Sequence, residues 1–303
     1  MRILLLVNSA ASSVTGRRRV VIHKALSADH EVTLAETARR GHATRLARSA
    51  ASEGTDVVVV LGGDGTLNEA ANGLAGTETA LAALPGGSTN VFARILGLPD
   101  DPVDAVGELL DSLDRGAVSP IALGAVDGRY FLFHCGIGFD AAVVEEVERR
   151  GPLKRWAGHP LFIYAAVTTW LRRSTRRRPP MQLLDADGEV LDEGLFTIVL
   201  NANPYTYLGG RSFDLVPGLE LDAPLTAITL RSLSLHRLVP VAVKALRSGD
   251  VRAMPGVRVH EGLHDLTVAA QPPVGYQADG DHLGAAPRLR IRWVPDALRL
   301  VLR

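Results

Sequence analysis

A run of consecutive apolar residues that leads directly into a glycine-rich turn constrains this sequence more than any other feature. Residues 57–61 read VVVVL, and they are followed by GGDGT at 62–66 and by a helix-like pattern at 67–74. A strand without polar alternation is typical of the centre of a parallel sheet that is covered on both faces. The order of strand, glycine turn and helix therefore predicts an α/β fold around this segment.

The same alternation of strand and helix extends over about the first 115 residues. Strands are predicted at 2–7, 31–35, 56–61 and 80–84, with helices at 17–28, 41–52, 67–74 and 102–115. Strands separated by helices indicate a parallel sheet. We therefore predict an α/β domain with a parallel sheet over residues 1–116.

The pattern changes after residue 116 to short strands that are divided by turn residues. Strands are predicted at 118–126, 129–134, 181–184, 195–200 and 227–230, with one helix at 160–171. This spacing is typical of an antiparallel sheet or sandwich. We predict an antiparallel β-sandwich domain over residues 117–295, and the last segment, 296–303, contains a strand that could rejoin the first domain.

Composition and apolar runs exclude several classes of protein. The 303 residues include 33 basic and 33 acidic side chains, a balance that disfavours a nucleic-acid-binding role. Cys135 is the single cysteine, so no intramolecular disulfide can form and a reducing compartment is expected. The apolar stretch at 161–171 is shorter than the roughly 20 residues of a spanning helix. We therefore predict a cytoplasmic protein.

The turn at 62–66 has the composition of an anion-binding loop. Glycines let backbone N–H groups approach phosphate oxygens, and a helix N-terminus favours negative charge. The glycine spacing does not match GxGxxG, and the P-loop lysine is absent. A tight strand-to-helix turn, capped by Asp64 or Thr66, is the alternative.

The run GGDGTLNEAANGL at 62–74 resembles the ATP-binding signature of the diacylglycerol kinase catalytic family, which includes sphingosine and ceramide kinases and soluble bacterial lipid kinases. LPGGSTNVFAR at 84–94, CGIGFDA at 135–141 and ADGD at 278–281 resemble further motifs of that family, in the same order. The resemblance covers nearly the whole chain. It implies an α/β nucleotide-binding domain, a lipid-substrate domain, and ATP- and Mg²⁺-dependent phosphorylation of a hydroxyl of diacylglycerol or of a sphingoid or ceramide-like lipid.

The same resemblance implies a role for individual residues. Those implied to bind ATP and its Mg²⁺ are Asn8, Thr37, Gly62, Gly63, Asp64, Gly65, Thr66, Asn68, Ser88 and Asn90, with Asp64 as the metal ligand. Asp279 is implied as the general base, with Asp64 as a further catalytic acid, and the two-residue spacing of Asp281 from Asp279 suits a helper for that base. Asp279 and Asp281 would face the same side of an extended segment, but Asp-Gly is also a strong hairpin signal.

The chain departs from the family pattern at two places. Val91 occupies the position where many bacterial members carry an acid that supports the Mg²⁺ network. The stretch that matches the family's structural-metal loop reads VPGL at 216–219, between Asp214 and Asp222, and lacks the usual Asp-Gly pair. A structural Mg²⁺ is therefore not expected to bind as it does in the family.

Three other functions compete with the lipid kinase. HEGLH at 260–264 matches the HExxH string of zinc peptidases, although strand-like flanks favour a hairpin or loop over the helix that zinc binding requires. NAD kinases also use GGDGT and would phosphorylate a dinucleotide. The third alternative, motivated by Val91, is a nucleotide-binding module without turnover.

A basic run suggests where the protein could meet its substrate. RRSTRRR at 172–178 follows the apolar segment 161–171, and such a pair could dock on an anionic membrane surface. A core helix followed by a solvated basic loop is the alternative. We expect a lipid substrate, no nucleic acid and transient contact with the inner membrane face, and the sequence leaves homodimer formation open.

Overall fold

The computed structural model describes residues 1–149, 168, 181–247 and 249–303. The chain forms two compact units. Unit 1 consists of Met1–Ala122 together with Pro295–Arg303, and unit 2 consists of Leu123–Val294.

Unit 1 is a parallel sheet with helices on both faces. Its strands are β1 (Arg2–Val7), β2 (Glu31–Glu36), β3 (Val57–Gly62) and β4 (Ala80–Pro85), and its helices are α1 (Gly16–Leu26), α2 (His42–Ser52), α3 (Asp64–Leu74), α4 (Val91–Ile95) and α5 (Pro102–Asp114). The strand order is β4-β3-β1-β2, and Leu300 near the C-terminus adds a parallel partner to Leu81 of β4. Every residue of β3 is buried, as the unbroken apolar run predicts.

Two helix pairs cover the sheet of unit 1. Ile22 and Leu26 of α1 share a core with Ala105 and Leu109 of α5 on one face of the sheet. Helices α2 and α3 pack against each other and against the strands. Both faces of β3 are thus covered, which explains why its side chains do not alternate in polarity.

Unit 2 is rich in antiparallel strands. Its elements are β5 (Val118–Val126, which begins in unit 1), β6 (Arg129–Phe131), β7 (His134–Gly138), α6 (Phe139–Glu148), β8 (Met181–Leu184), β9 (Val190–Gly194), β10 (Phe196–Leu200), β11 (Thr206–Leu208), β12 (Arg211–Phe213), β13 (Leu225–Leu230), α7 (Leu235–Arg247), β14 (Val257–Leu263), β15 (Asp265–Ala278) and β16 (Asp281–Val301, which ends in unit 1). The central strands follow the order β14-β13-β10-β7-β15-β16. Alternate side chains of β10 belong to two cores, with Val199 in one and Ile198 and Leu200 in the other.

The predicted fold class is confirmed: an α/β domain with a parallel sheet precedes an antiparallel, strand-rich domain. The prediction of a single helix in the second half is wrong, because α6 and α7 are also present. The predicted helix at 160–171, apart from Thr168, and the basic run at 172–178 lie outside the described residues. Within the described ranges, no helix combines the length and the apolar character that crossing a bilayer requires.

Candidate functional site

The first glycine loop connects the end of β3 to the start of α3. Gly62 is the last residue of β3, and Gly63 is the N-cap of α3. A glycine cannot cap a helix with a side chain, and no side chain accepts a hydrogen bond at this cap. The positive end of the α3 dipole at a glycine turn is suited to a phosphate group.

The second glycine loop packs directly against the first. The amide of Gly86 donates to the carbonyl of Gly62 at 2.8 Å. A Cβ atom added to Gly86 would lie 2.8 Å from the Gly62 nitrogen, and one added to Gly87 would lie 2.7 Å from Cα of Gly63. Real Cβ atoms do not approach backbone so closely, so these two glycines are required by the contact between the loops.

Residues that follow β1 join the same cluster. Asn8 Nδ2 donates to Thr66 Oγ1 at 2.8 Å. The amide of Ser13 donates to the carbonyl of Gly86 at 2.9 Å, and its hydroxyl donates to the carbonyl of Gly87 at 3.2 Å. The structure therefore brings together Asn8, Thr66 and both glycine loops.

The other residues implied to bind nucleotide lie at several places around these loops. Thr37 follows β2, and its amide donates to the carbonyl of Val7 at 2.9 Å. Ser88 is exposed. Asn68 is almost fully buried in α3, where its side-chain and backbone oxygens accept from Asn72 Nδ2.

Asp64 and Asn90 also hold the second loop in place. The two carboxylate oxygens of Asp64 accept the amides of Val91 and Phe92, each at 3.0 Å, and so bind the start of α4. Asn90 has a positive φ of 49°. Its side-chain amide bonds to both the N–H and the C=O of Gly87. Both side chains therefore contribute to the loop structure itself.

Glu69 is a residue of this region to which the sequence analysis gives no role. Its carboxylate is buried and accepts the amides of Gly41 and Ala43 at 2.7 and 3.1 Å. Gly41, the N-cap of α2, has no side chain to do this. The sequence marks only an acid in the glycine-loop motif and a glycine at the start of the predicted helix 41–52, and nothing in it connects the two.

Asp279 lies in unit 2, in the turn between β15 and β16. Asp279 and Gly280 both have positive φ, 48° and 81°, so the segment is a hairpin turn rather than an extended strand. The prediction that Asp279 and Asp281 face the same side of an extended segment is therefore wrong. Asp281 is partly exposed at the start of β16.

The Asp279 carboxylate is turned into the protein, unlike that of an ordinary hairpin aspartate. The residue is only 5% exposed. Its carboxylate accepts the amides of Leu132, Phe133 and His134 at 2.7, 3.0 and 3.1 Å. Because three backbone donors hold it, the carboxylate has a fixed position.

The residues of the HEGLH string have separate partners and do not form a helix. His260 and Glu261 lie on β14. His260 is 3.4 Å from Asp192, and Glu261 is paired with Arg252 at 2.6 Å. No group of three potential metal-binding side chains occurs among the residues whose positions are described. Because His260 and Glu261 lie on a strand, the motif agrees with the predicted hairpin and not with the helix that a zinc peptidase requires.

Asp214, at the start of the loop that ends at Asp222, contacts the side chain of Asn203. Asn203 Nδ2 donates to Asp214 Oδ1 at 2.5 Å, and Asn203 Oδ1 is 3.4 Å from the amide of Leu215. The Asp214 carboxylate thus accepts a hydrogen bond from the side chain of Asn203, which lies outside this loop.

Comparison with known proteins places the chain among the phosphotransferases that act on an alcohol group. The sequence model of the family described as "diacylglycerol kinase catalytic domain" matches residues 2–126 of this chain. The chain belongs to the diacylglycerol kinase family.

Relatives extend this similarity over most of the chain. The diacylglycerol kinase of Bacillus subtilis strain 168 is 30% identical over 272 residues, which cover 88% of this chain and 84% of that protein. The diacylglycerol kinase of Staphylococcus haemolyticus is 35% identical over 274 residues, or 88% and 77% of the two chains. A crystal structure of a diacylglycerol kinase from Bacillus anthracis aligns with a TM-score of 0.73 at 22% identity, covers 100% of this chain and 97% of that one, and shows the shared fold.

Proposed function

We propose that this protein transfers the γ-phosphate of ATP to a hydroxyl group of diacylglycerol or of a sphingoid or ceramide-like lipid, with Mg²⁺ as cofactor. The observation that carries the proposal is the pair of glycine loops packed at the glycine-capped start of α3, in a chain that belongs to this family. Backbone amides at such a loop would bind the phosphates of a nucleotide.

Each predicted nucleotide residue has a place in this proposal. Gly62, Gly63, Gly65, Thr66, Ser88 and Asn90 would line the phosphates, and Asn8, Thr37 and Asn68 would support the same strand ends. Asp64 would hold Mg²⁺ together with the phosphates. Protein sites for Mg²⁺ commonly use only one or two carboxylates and keep several waters. The single carboxylate of Asp64 is therefore enough to hold the ion, although position 91 is valine and not an acid. When bound, Mg²⁺ would neutralise charge on the phosphates.

Asp279 is proposed as the group that takes the hydroxyl proton of the lipid. A general base must be held within hydrogen-bonding reach of that proton. The three amides that bind the Asp279 carboxylate keep it in one orientation. Asp281, at the start of β16, is proposed to support it.

Helix α7 supports the proposal that the protein works on the anionic, cytoplasmic surface of a membrane. Leu235, Val239 and Val243, spaced by four residues, are 49%, 53% and 42% exposed. The helix also contains Arg237, Lys244 and Arg247, and its sequence has no acidic residue. An apolar stripe beside basic residues is typical of a helix that lies in a membrane interface. We propose that α7 contacts the bilayer that holds the substrate.

An assay with labelled ATP and a set of acceptors tests the function. Diacylglycerol, ceramide, sphingosine and NAD would be offered separately, with thin-layer separation of the products. We expect label in a lipid. Label in NAD would instead identify an NAD kinase-like enzyme, and ATP binding without any product would identify a non-catalytic module.

The Asp279→Asn variant tests the proposed base. It should lower kcat by roughly 10²- to 10⁴-fold, the usual contribution of acid–base catalysis, while ATP affinity is retained. Asp281→Asn should cost less, and Asp64→Asn should weaken ATP and Mg²⁺ binding together. Near-normal lipid phosphorylation by the Asp279→Asn protein would contradict the assignment.

A further inference from the structure

The turn that carries Asp279 needs support from outside itself. Asp279 and Gly280 both adopt left-handed backbone conformations, and such a conformation is unfavourable for a residue other than glycine. The Asp279 carboxylate is fixed by amides of residues 132–134. The backbone of the turn is held by the carbonyl of His134, which accepts the amide of Asp279 at 2.9 Å, and by the side chain of Gln277.

Gln277 binds the turn through its side-chain amide. The residue is fully buried, and its Oε1 accepts the amide of Gly280 at 2.8 Å. At its other end, Nε2 donates to Asp140 Oδ2 at 2.5 Å. The side chain therefore links the residue that follows Asp279 to a carboxylate on another element.

Asp140 determines which way the Gln277 amide points. A carboxylate oxygen accepts hydrogen bonds, so Asp140 Oδ2 binds the NH₂ end of the amide and leaves the amide oxygen for Gly280. If the amide were reversed, two donors would meet at Gly280 and two acceptors would meet at Asp140. Asp140 thus acts on the turn through Gln277.

Asp140 is itself held tightly. It lies in the first turn of α6, is buried, and accepts from the Tyr205 hydroxyl at 2.5 Å. A Cβ atom added to Gly136 would lie 1.7 Å from Asp140 Oδ2 and 2.5 Å from Gln277 Nε2. The Asp140 carboxylate and the Gln277 amide therefore fill the space that a side chain at Gly136 would need.

We propose that Gln277, oriented by Asp140, is a positioning residue that holds the Asp279 turn in its reactive geometry. This inference rests on the proposed function, in which Asp279 takes the hydroxyl proton. It assigns a role to two buried residues that bind neither the nucleotide loops nor the Asp279 carboxylate.

The central test compares Gln277→Met with Tyr205→Phe. Gln277→Met keeps a long, unbranched side chain but removes both amide contacts, so kcat for the lipid should fall by about 10²-fold, the effect of a misplaced reactive group. Tyr205→Phe removes the other hydrogen bond to Asp140 and leaves Gln277 in place, so kcat should stay within about threefold. The KM for ATP should not change in either variant. Both are assayed below their measured melting temperatures.

A second pair of variants keeps the test decisive if Gln277→Met does not fold. Asp140→Asn retains an oxygen that can accept from Gln277 and a donor for the Tyr205 oxygen, so it should retain kcat, whereas Asp140→Leu should lose it. Wild-type kcat in Gln277→Met, equal losses in Gln277→Met and Tyr205→Phe, or a folded but inactive Asp140→Asn would each overturn the proposal. An active Asp279→Asn protein would instead overturn the assignment of the base, and the positioning role with it.

Discussion

His134 is a buried titratable residue next to the Asp279 carboxylate. Its ring lies 4.8 Å from that of Phe133 and 4.5 Å from that of Tyr205. Within the part of the chain that the structure describes, its Nδ1 atom has no hydrogen-bond partner. Burial lowers the pKa of His134 to about 3, because the charged ring would lose its hydration. The folded protein therefore keeps this histidine neutral well into the acid range.

The low pKa predicts a loss of stability in acid. Below a pH of about 6.5, the unfolded chain binds a proton at His134 that the folded chain excludes. The free energy of unfolding should therefore fall by up to ~1.4 kcal/mol per pH unit between about pH 6.5 and about pH 3. His134→Phe keeps an aromatic ring and should remove this contribution to the pH dependence of the free energy of unfolding. Urea unfolding at several pH values measures that dependence.

A second histidine-to-phenylalanine substitution, at an exposed position, serves as the control. His236 is exposed on α7, so His236→Phe should leave the pH dependence as it is in the wild type. If His134→Phe and the wild type show the same slope, His134 is not the source of the acid sensitivity.

The sequence predicts side chains that follow local patterns better than it predicts their distant partners. Asn8 and Thr66 follow predicted strands, and the structure joins them at 2.8 Å. By contrast, neither the bond of Glu69 to Gly41 nor that of Gln277 to Asp140 joins the ends of two predicted strands. Such pairs leave no periodic signal, because only the fold brings them together. The roles of Glu69 and Gln277 therefore became visible only in the structure.

At the scale of elements, α3 and α5 each contain an internal glycine in a different environment. A Cβ atom added to Gly73 of α3 would lie 2.5 Å from the carbonyl oxygen of Thr44 and 3.0 Å from Cβ of Ala47, both on α2. A Cβ atom added to Gly107 of α5 would meet no atom within 4 Å. Gly73 is therefore needed for close packing of α2 and α3, and Gly107 is not needed for packing.

Alanine at these two positions should change stability in opposite directions. Gly107→Ala should raise the free energy of unfolding by roughly 0.5–1 kcal/mol, the helix propensity difference between the two residues. Gly73→Ala should lower it by about 1–3 kcal/mol, because the added methyl group forces α2 and α3 apart. Denaturant unfolding of the two variants measures both effects. Equal effects of the two exchanges would mean that the contact at Gly73 can relax.

The missed elements have specific causes. Helix α7 contains Pro240, which lacks an amide hydrogen and usually ends a helix, so the sequence pattern there did not predict one. The strand predicted within 296–303 is the end of β16, a single strand of 21 residues that begins at Asp281. By contrast, the prediction at 118–126 agrees with β5 at both ends. Boundaries are predicted well where turn residues flank an apolar run.

At the scale of the whole molecule, the exposed stripe of α7 predicts binding to anionic vesicles. Val239→Ser with Val243→Ser removes two valines that would enter the interface, each with a burial free energy of roughly 1 kcal/mol. The pair should therefore weaken binding in a vesicle flotation assay by at least about tenfold. Arg237→Gln with Arg247→Gln should weaken it mainly at low salt, where charge is poorly screened.

An equally exposed valine elsewhere in unit 2 provides the control. Val190 on β9 is 53% exposed, as Val239 is, so Val190→Ser should leave vesicle binding unchanged. Equal flotation of the α7 variant and the Val190→Ser protein would exclude α7 as the membrane contact.

The discontinuity of unit 1 has a consequence for biosynthesis. Residues 295–303 belong to unit 1 but follow all of unit 2 in the chain, and Leu298 and Leu300 are buried there. On the ribosome, the edge of β4 therefore stays without its partner strand until the residues that follow unit 2 have been translated. Open strand edges tend to pair with other chains. A nascent chain that stalls before residue 295 would expose such an edge to pairing with other chains.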